Sequence, residues 1–143
     1  MEEEENQFHR WSWCQHEWND QTQKNVLWTL ALLKKIIIYC RENGVKLMIT
    51  GVPHYQQFAI DNQGRRIWSA RPHQEIEKLA RGEQVPYLNS WKALEPIISS
   101  TRQTKYYYKN NMHFNPRGYK IWAQVHIQTL MDRKSDLIPA TVY

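Results

Sequence analysis

Two cysteines in 143 residues, Cys14 and Cys40, are too few for a disulfide scaffold and form no CxxC redox or zinc motif. The longest apolar run, residues 26–40, is broken by Lys34-Lys35, which excludes a membrane span. The chain opens on four consecutive glutamates, Glu2 to Glu5, the wrong start for a secretory or mitochondrial signal. There is no internal repeat and no low-complexity tract beyond that glutamate run. No cofactor motif is present, and no cofactor is expected. His9, Cys14, His16 and Glu17 bring ligand types together. Their H-x4-C-x-H spacing is not a zinc pattern and no second pair follows, so no metal site is expected. These absences leave a soluble protein of a reducing compartment, cytoplasmic by default. The length suits one compact domain.

What the sequence does hold is aromatic and basic. Aromatics reach 13%, with seven Trp and eight Tyr, a ring surface that needs a core or a partner to cover it. The net charge is +5, and setting aside the four glutamates leaves +9 from Asn6 onward.

Three regions are expected along the chain. Residues 1–19 form an acidic, Trp-rich arm, in which Trp11, Cys14 and Trp18 share a face if the segment is helical. Such an arm docks on something, in this chain or in another; Cys14 is expected to be exposed there. Residues 20–133 form the domain, and residues 134–143 a tail. Asp20 can cap a first helix with Gln23 at the N3 position of a capping box. That helix carries Val26, Leu27, Trp28, Leu30, Leu32, Leu33 and Ile36 to Ile38, apolar on nearly every side, so it is expected to be sandwiched, with Cys40 a small core residue. It ends at Asn43-Gly44, and Val45 to Thr50 reads as an interior parallel strand.

Asp61-Asn62-Gln63-Gly64 marks a turn. A second helix is expected over Pro72 to Arg81, with Pro72 at N1 and Gly82 just past the end, followed by a short strand over Val85 to Leu88. A brief helix around Trp91 to Ile98 leads to a polar loop through Tyr106-Tyr107-Tyr108. The last helix starts at an Asn115 cap with Pro116 at N1, and Phe114 can staple to Tyr119. Tyr119, Trp122, Ala123, Ile127 and Leu130 then repeat at helical spacing. The order is that of an α/β fold in three layers, a short parallel sheet with flanking helices. Two strands are few for a sheet covered on both faces, which points to a partial fold or one completed elsewhere.

The segment YYYKNNMHFNPRGYKIWA, Tyr106 to Ala123, resembles the final block of the SGNH (GDSL-like) hydrolases, in which Asp and His precede the last helix as D-x-x-H or D-x-H. His113, Asn115, Gly118 and Tyr119 match the trailing H-x-N-x-x-G-y pattern, and the helix–strand order from Asn25 to Met131 is similar to the family's C-terminal portion. The resemblance implies a partial flavodoxin-like SGNH-type fold and ester hydrolysis by a Ser-His-Asp mechanism. His113 maps to the general base, and Asn110 or Asn111 to the acid position, where an amide cannot stabilise an imidazolium as a carboxylate does. Asn19, in Glu17-Trp18-Asn19-Asp20, is the oxyanion candidate from the family's G-x-N-D block, with Glu in place of Gly. The G-D-S nucleophile block is missing, and no serine lies in a G-x-S-x-G elbow.

His54 is a candidate substrate-binding residue on spacing alone, because it follows the carboxyl end of a buried strand, where ligands of open α/β sheets gather. The expected function is therefore that of an ester hydrolase-like chain that keeps the base loop and is inactive by itself. Two alternatives stand beside it. One is a split hydrolase completed by a separate Ser-bearing chain, or self-association through the Trp-rich arm and the sheet edge. The other is a non-catalytic module binding a polyanion. Lys105-Tyr106-Tyr107-Tyr108-Lys109 interleaves rings and cations as nucleic-acid binders do. Lys34-Lys35, Arg65-Arg66 and Arg133-Lys134 form no common stripe, which argues against nucleic acid.

Overall fold

Two helix-to-strand connections of the same kind set the frame of the protein. The computed structural model describes residues 11–98, 103–109 and 112–132. Helix α1, Asp20–Glu42, starts at an Asn19 cap whose side-chain oxygen accepts the Thr22 N–H at 2.8 Å. The cap is thus Asn19 and not Asp20, whose carboxylate instead sits in the first turn, where the helix dipole favours it. At the other end the Val45 N–H reaches the Cys40 carbonyl at 2.8 Å and the Gly44 N–H reaches Arg41 at 3.3 Å, with Gly44 at φ 67°.

Helix α2, Arg71–Gly82, closes identically, Val85 onto Ala80 at 2.8 Å and Gln84 onto Arg81 at 3.2 Å. Its left-handed residue is Gln84, at φ 57°. Gly82 was the expected stop, yet it lies inside the last turn, because the closing bonds need two more residues before the chain can reverse.

Each connection feeds a short strand. β1 is Ile49–Thr50 and β2 is Tyr87–Leu88, paired parallel with Ile49 opposite Tyr87 and Thr50 opposite Leu88. Both are shorter than the apolar runs that contain them. Pro86, which has no N–H to give, sits just before β2 and accepts the Ile49 N–H through its carbonyl at 2.9 Å. Alternation along a strand sends Thr50 and Leu88 to one face of the sheet, Ile49 and Tyr87 to the other. Thr50 meets His126 of helix α5, Pro116–Asp132, at 2.9 Å, and Tyr87 meets His73 of α2 at 3.4 Å. Helices α2 and α5 therefore cover opposite faces of a small parallel α/β sheet.

The core lies on the α5 side. Helix α3, Ser90–Leu94, and helix α4, Gln103–Tyr106, contribute Leu94 and Tyr106, which pack with Phe58, Ile98, Tyr107 and Phe114. Helix α5 adds Ile121, Trp122 and Val125 to this cluster.

Helix α1 departs from expectation. Thr22, Val26 and Ile37 are its buried residues, on one face, while Leu27, Trp28, Leu32, Ile36 and Tyr39 are exposed. It is laid on a surface and not sandwiched, because no element among the described residues packs on its far side. Cys40 is only partly covered. Helix α5 is similar: Trp122 turns inward, whereas Tyr119, Ile127 and Leu130 are exposed.

The arm has a short helical turn, Ser12–Cys14, and its described part docks on its own chain. Cys14 is buried and not exposed, its carbonyl accepts the Ser69 N–H at 2.8 Å, and burial pushes its thiol up to about 11. The Trp18 ring lies under the Arg71 guanidinium at 3.7 Å. Among the described residues no helix is long and apolar enough to cross a membrane.

Candidate functional site

His113 sits on a hairpin whose two sides are fixed by hydrogen bonds. Tyr107 and Phe114 form an antiparallel bridge, the Tyr108 N–H donates to the His113 carbonyl at 3.1 Å, and the Asn115 N–H donates to the Tyr106 carbonyl at 2.9 Å. Phe114 is buried against the Tyr107 ring at 4.5 Å, and His113 beside it is exposed. Asn110 and Asn111, the two candidates for the acid position, lie outside the described residues.

The residues after His113 explain why the hairpin keeps its shape. The Asn115 side-chain oxygen accepts the Arg117 and Gly118 N–H groups at 3.0 and 3.1 Å, capping α5, while its amide donates to the Lys105 and Tyr107 carbonyls. A Cβ on Gly118 would collide with the Tyr106 carbonyl oxygen and stand 2.6 Å from the Phe114 ring. Phe114 meets Tyr119 edge-on at 5.8 Å, the staple expected at this helix start. The Asn, Gly and Tyr of the H-x-N-x-x-G-y pattern are thus the frame that holds the histidine.

One long-range bond attaches this frame to the sheet. The Tyr107 hydroxyl donates to the Pro53 carbonyl at 2.8 Å, and its ring packs near Tyr55 and Phe58. Pro53 lies three residues beyond the carboxyl end of β1, so the hairpin is anchored at the end of the sheet where open α/β folds bind ligands.

His54 follows Pro53 and is engaged differently. Its Nδ1 accepts the Gln56 N–H at 3.2 Å, capping the short turn Tyr55–Gln57, and its ring lies 4.6 to 4.8 Å from those of Trp11, Tyr55 and Trp68. Burial pushes its pKa down to about 4, so it is neutral at ordinary pH. Asn19 spends its side-chain oxygen on the cap of α1.

Two polar clusters escaped the sequence reading. In the first, Gln57 Oε1 accepts both the His54 N–H at 2.8 Å and the His73 Nε2–H at 3.2 Å, and Gln57 Nε2 donates to the Ser69 carbonyl at 3.0 Å. The Gln57 carbonyl takes bonds from Arg66 and from the Trp91 indole. Burial lowers His73 to about 4. A Cβ on Gly51 would stand 2.7 Å from His73 Nδ1, so only glycine lets β1 end against this ring. In the second, the Trp122 carbonyl accepts the His126 Nδ1–H at 2.7 Å. His126 Nε2 faces the Thr50 hydroxyl at 2.9 Å, which meets the buried Ser90 hydroxyl at 2.8 Å. This chain pins α5 and α3 to β1. Only the glycine at the end of a strand hinted at the first cluster, because both join residues far apart in sequence.

Among the described residues no group of three or more His, Cys, Asp or Glu converges to hold a metal ion. No family model, curated protein or solved structure matches the chain.

Proposed function

We propose that the chain is the base-bearing, C-terminal portion of an SGNH-type ester hydrolase, with His113 in the general-base position and Asn110 or Asn111 in the acid position. The observation that carries this reading is the Tyr107–Pro53 bond, which anchors the His113 hairpin beside the carboxyl end of a parallel strand. A base in a hydrolase of this kind must meet a serine at such an edge, and the 143 residues contain no G-D-S block to supply one. By themselves they carry no ester turnover above background.

A serine-bearing segment completes the site. The exposed apolar residues Tyr119, Ile127 and Leu130 on α5 favour a segment that packs against this side of the molecule.

The test is complementation. The chain is mixed with a serine-bearing N-terminal half taken from an intact SGNH-type hydrolase, and hydrolysis of a nitrophenyl ester is followed. Turnover is expected to appear, to vanish in His113→Ala, and to rise when Asn110 or Asn111 is changed to Asp. Turnover that ignores His113→Ala contradicts the reading.

A further inference from the structure

Helix α1 carries an exposed stripe that is close to a palindrome. Trp28, Leu32, Ile36 and Tyr39 follow one another at four, four and three residues, which places them along one side of the helix. Each is between 39 and 67% exposed. The order is aromatic, aliphatic, aliphatic, aromatic, so the stripe reads nearly alike from either end. Lys24 precedes it by four residues and Glu42 follows it by three. The two are eighteen residues apart, or about five helical turns, and therefore lie on the same flank of the stripe.

That arrangement has a natural complement. When two identical helices pack antiparallel about a two-fold axis, each flank meets the same flank of its partner with the direction reversed. Turning α1 over about a point between Leu32 and Ile36 sets Trp28 against the second copy's Tyr39 and Leu32 against its Ile36. Lys24 then meets the second copy's Glu42, twice by symmetry. A parallel arrangement instead turns the flank that carries Lys24 and Glu42 to opposite sides of the two copies, so these charges do not meet. Trp and Tyr at the two ends supply the large, rigid surfaces that dominate interface energetics.

We propose that the chain forms a two-fold symmetric dimer through an antiparallel pairing of α1, with Trp28, Leu32, Ile36 and Tyr39 as its apolar seam and Lys24–Glu42 as its paired charges. The inference stands on α1 alone and does not depend on ester chemistry. It also replaces the arm as the surface of self-association, since the described part of the arm is already packed on its own chain.

Sedimentation velocity on the purified 143-residue chain tests it. The expected species has twice the chain mass. Ile36→Glu, at an exposed position, yields a monomer with an unchanged circular dichroism spectrum. Lys24→Glu weakens the dimer by roughly tenfold, the effect of reversing two symmetric surface pairs. The double variant Lys24→Glu with Glu42→Lys recovers the dimer. Lys35 lies near the axis on the same flank, so its two copies repel and Lys35→Gln tightens association. A monomeric parent chain overturns the proposal. So does an oligomer indifferent to Ile36→Glu, which assigns association to α5 or the sheet edge, or a Lys24→Glu defect that the charge swap fails to repair.

Discussion

The hydroxyl of Tyr107 donates to the carbonyl of Pro53 at 2.8 Å, joining the His113 hairpin to the loop that leaves β1. Both partners are buried, and burial holds the phenol well above its ordinary titration range. Removing the hydroxyl leaves a buried carbonyl without that donor. Tyr107→Phe is expected to cost about 1–2 kcal/mol in urea unfolding and to shift the His113 ring resonances in an NMR spectrum. Unchanged stability together with an unmoved His113 signal contradicts this tie.

Gly118 is held to glycine by space and not by backbone conformation. Gly118→Ala drives a methyl into the Tyr106 carbonyl and the Phe114 ring, so the start of α5 must shift. A loss of at least about 2 kcal/mol is expected in denaturant unfolding. Gly82→Ala, where a Cβ meets nothing within 4 Å, serves as the neutral control.

Gln84 offers the opposite change. It occupies the left-handed position at φ 57° that Gly44 fills in the matching connection after α1. Gln84→Gly is expected to raise stability by about 1 kcal/mol, since glycine carries no Cβ penalty there. A thermal melting point lower than that of the parent chain contradicts this.

Acid stability follows from His54 and His73. Burial holds both near pKa 4, below the ordinary 6.5, so between those values the unfolded chain binds more protons than the folded one. Their contribution is complete above pH 6.5 and drains away as pH falls towards 4. For the almost fully buried His73 the shift corresponds to about 3 kcal/mol. His73→Gln is expected to flatten the fall in unfolding free energy across that window. An equally steep fall in the variant contradicts it.

The parts legible in the sequence were those fixed by neighbours in the chain. Gly44 at a helix end, the Asn115 cap with Phe114 stapled to Tyr119, and the turn at Asp61 to Gly64 all rest on local backbone chemistry, and the structure has them. The α1 residues were read correctly as apolar, but periodicity does not say whether a partner is present to cover them, and Trp28 and Tyr39 stand exposed. Gln57 and His73 were invisible because their roles arise from bonds between residues sixteen apart, which no local pattern records. At the candidate site the motif marked His113, while Asn115 and Gly118 proved to be its supports. The Tyr107–Pro53 tie spans 54 residues and had no signature.

The most direct measurement is labelling of the purified chain with a fluorophosphonate probe, with adducts mapped by mass spectrometry. A chain that holds the base and not the nucleophile is predicted to show no serine adduct. A specific serine adduct lost in His113→Ala contradicts the account, because it places a complete, activated nucleophile within these 143 residues.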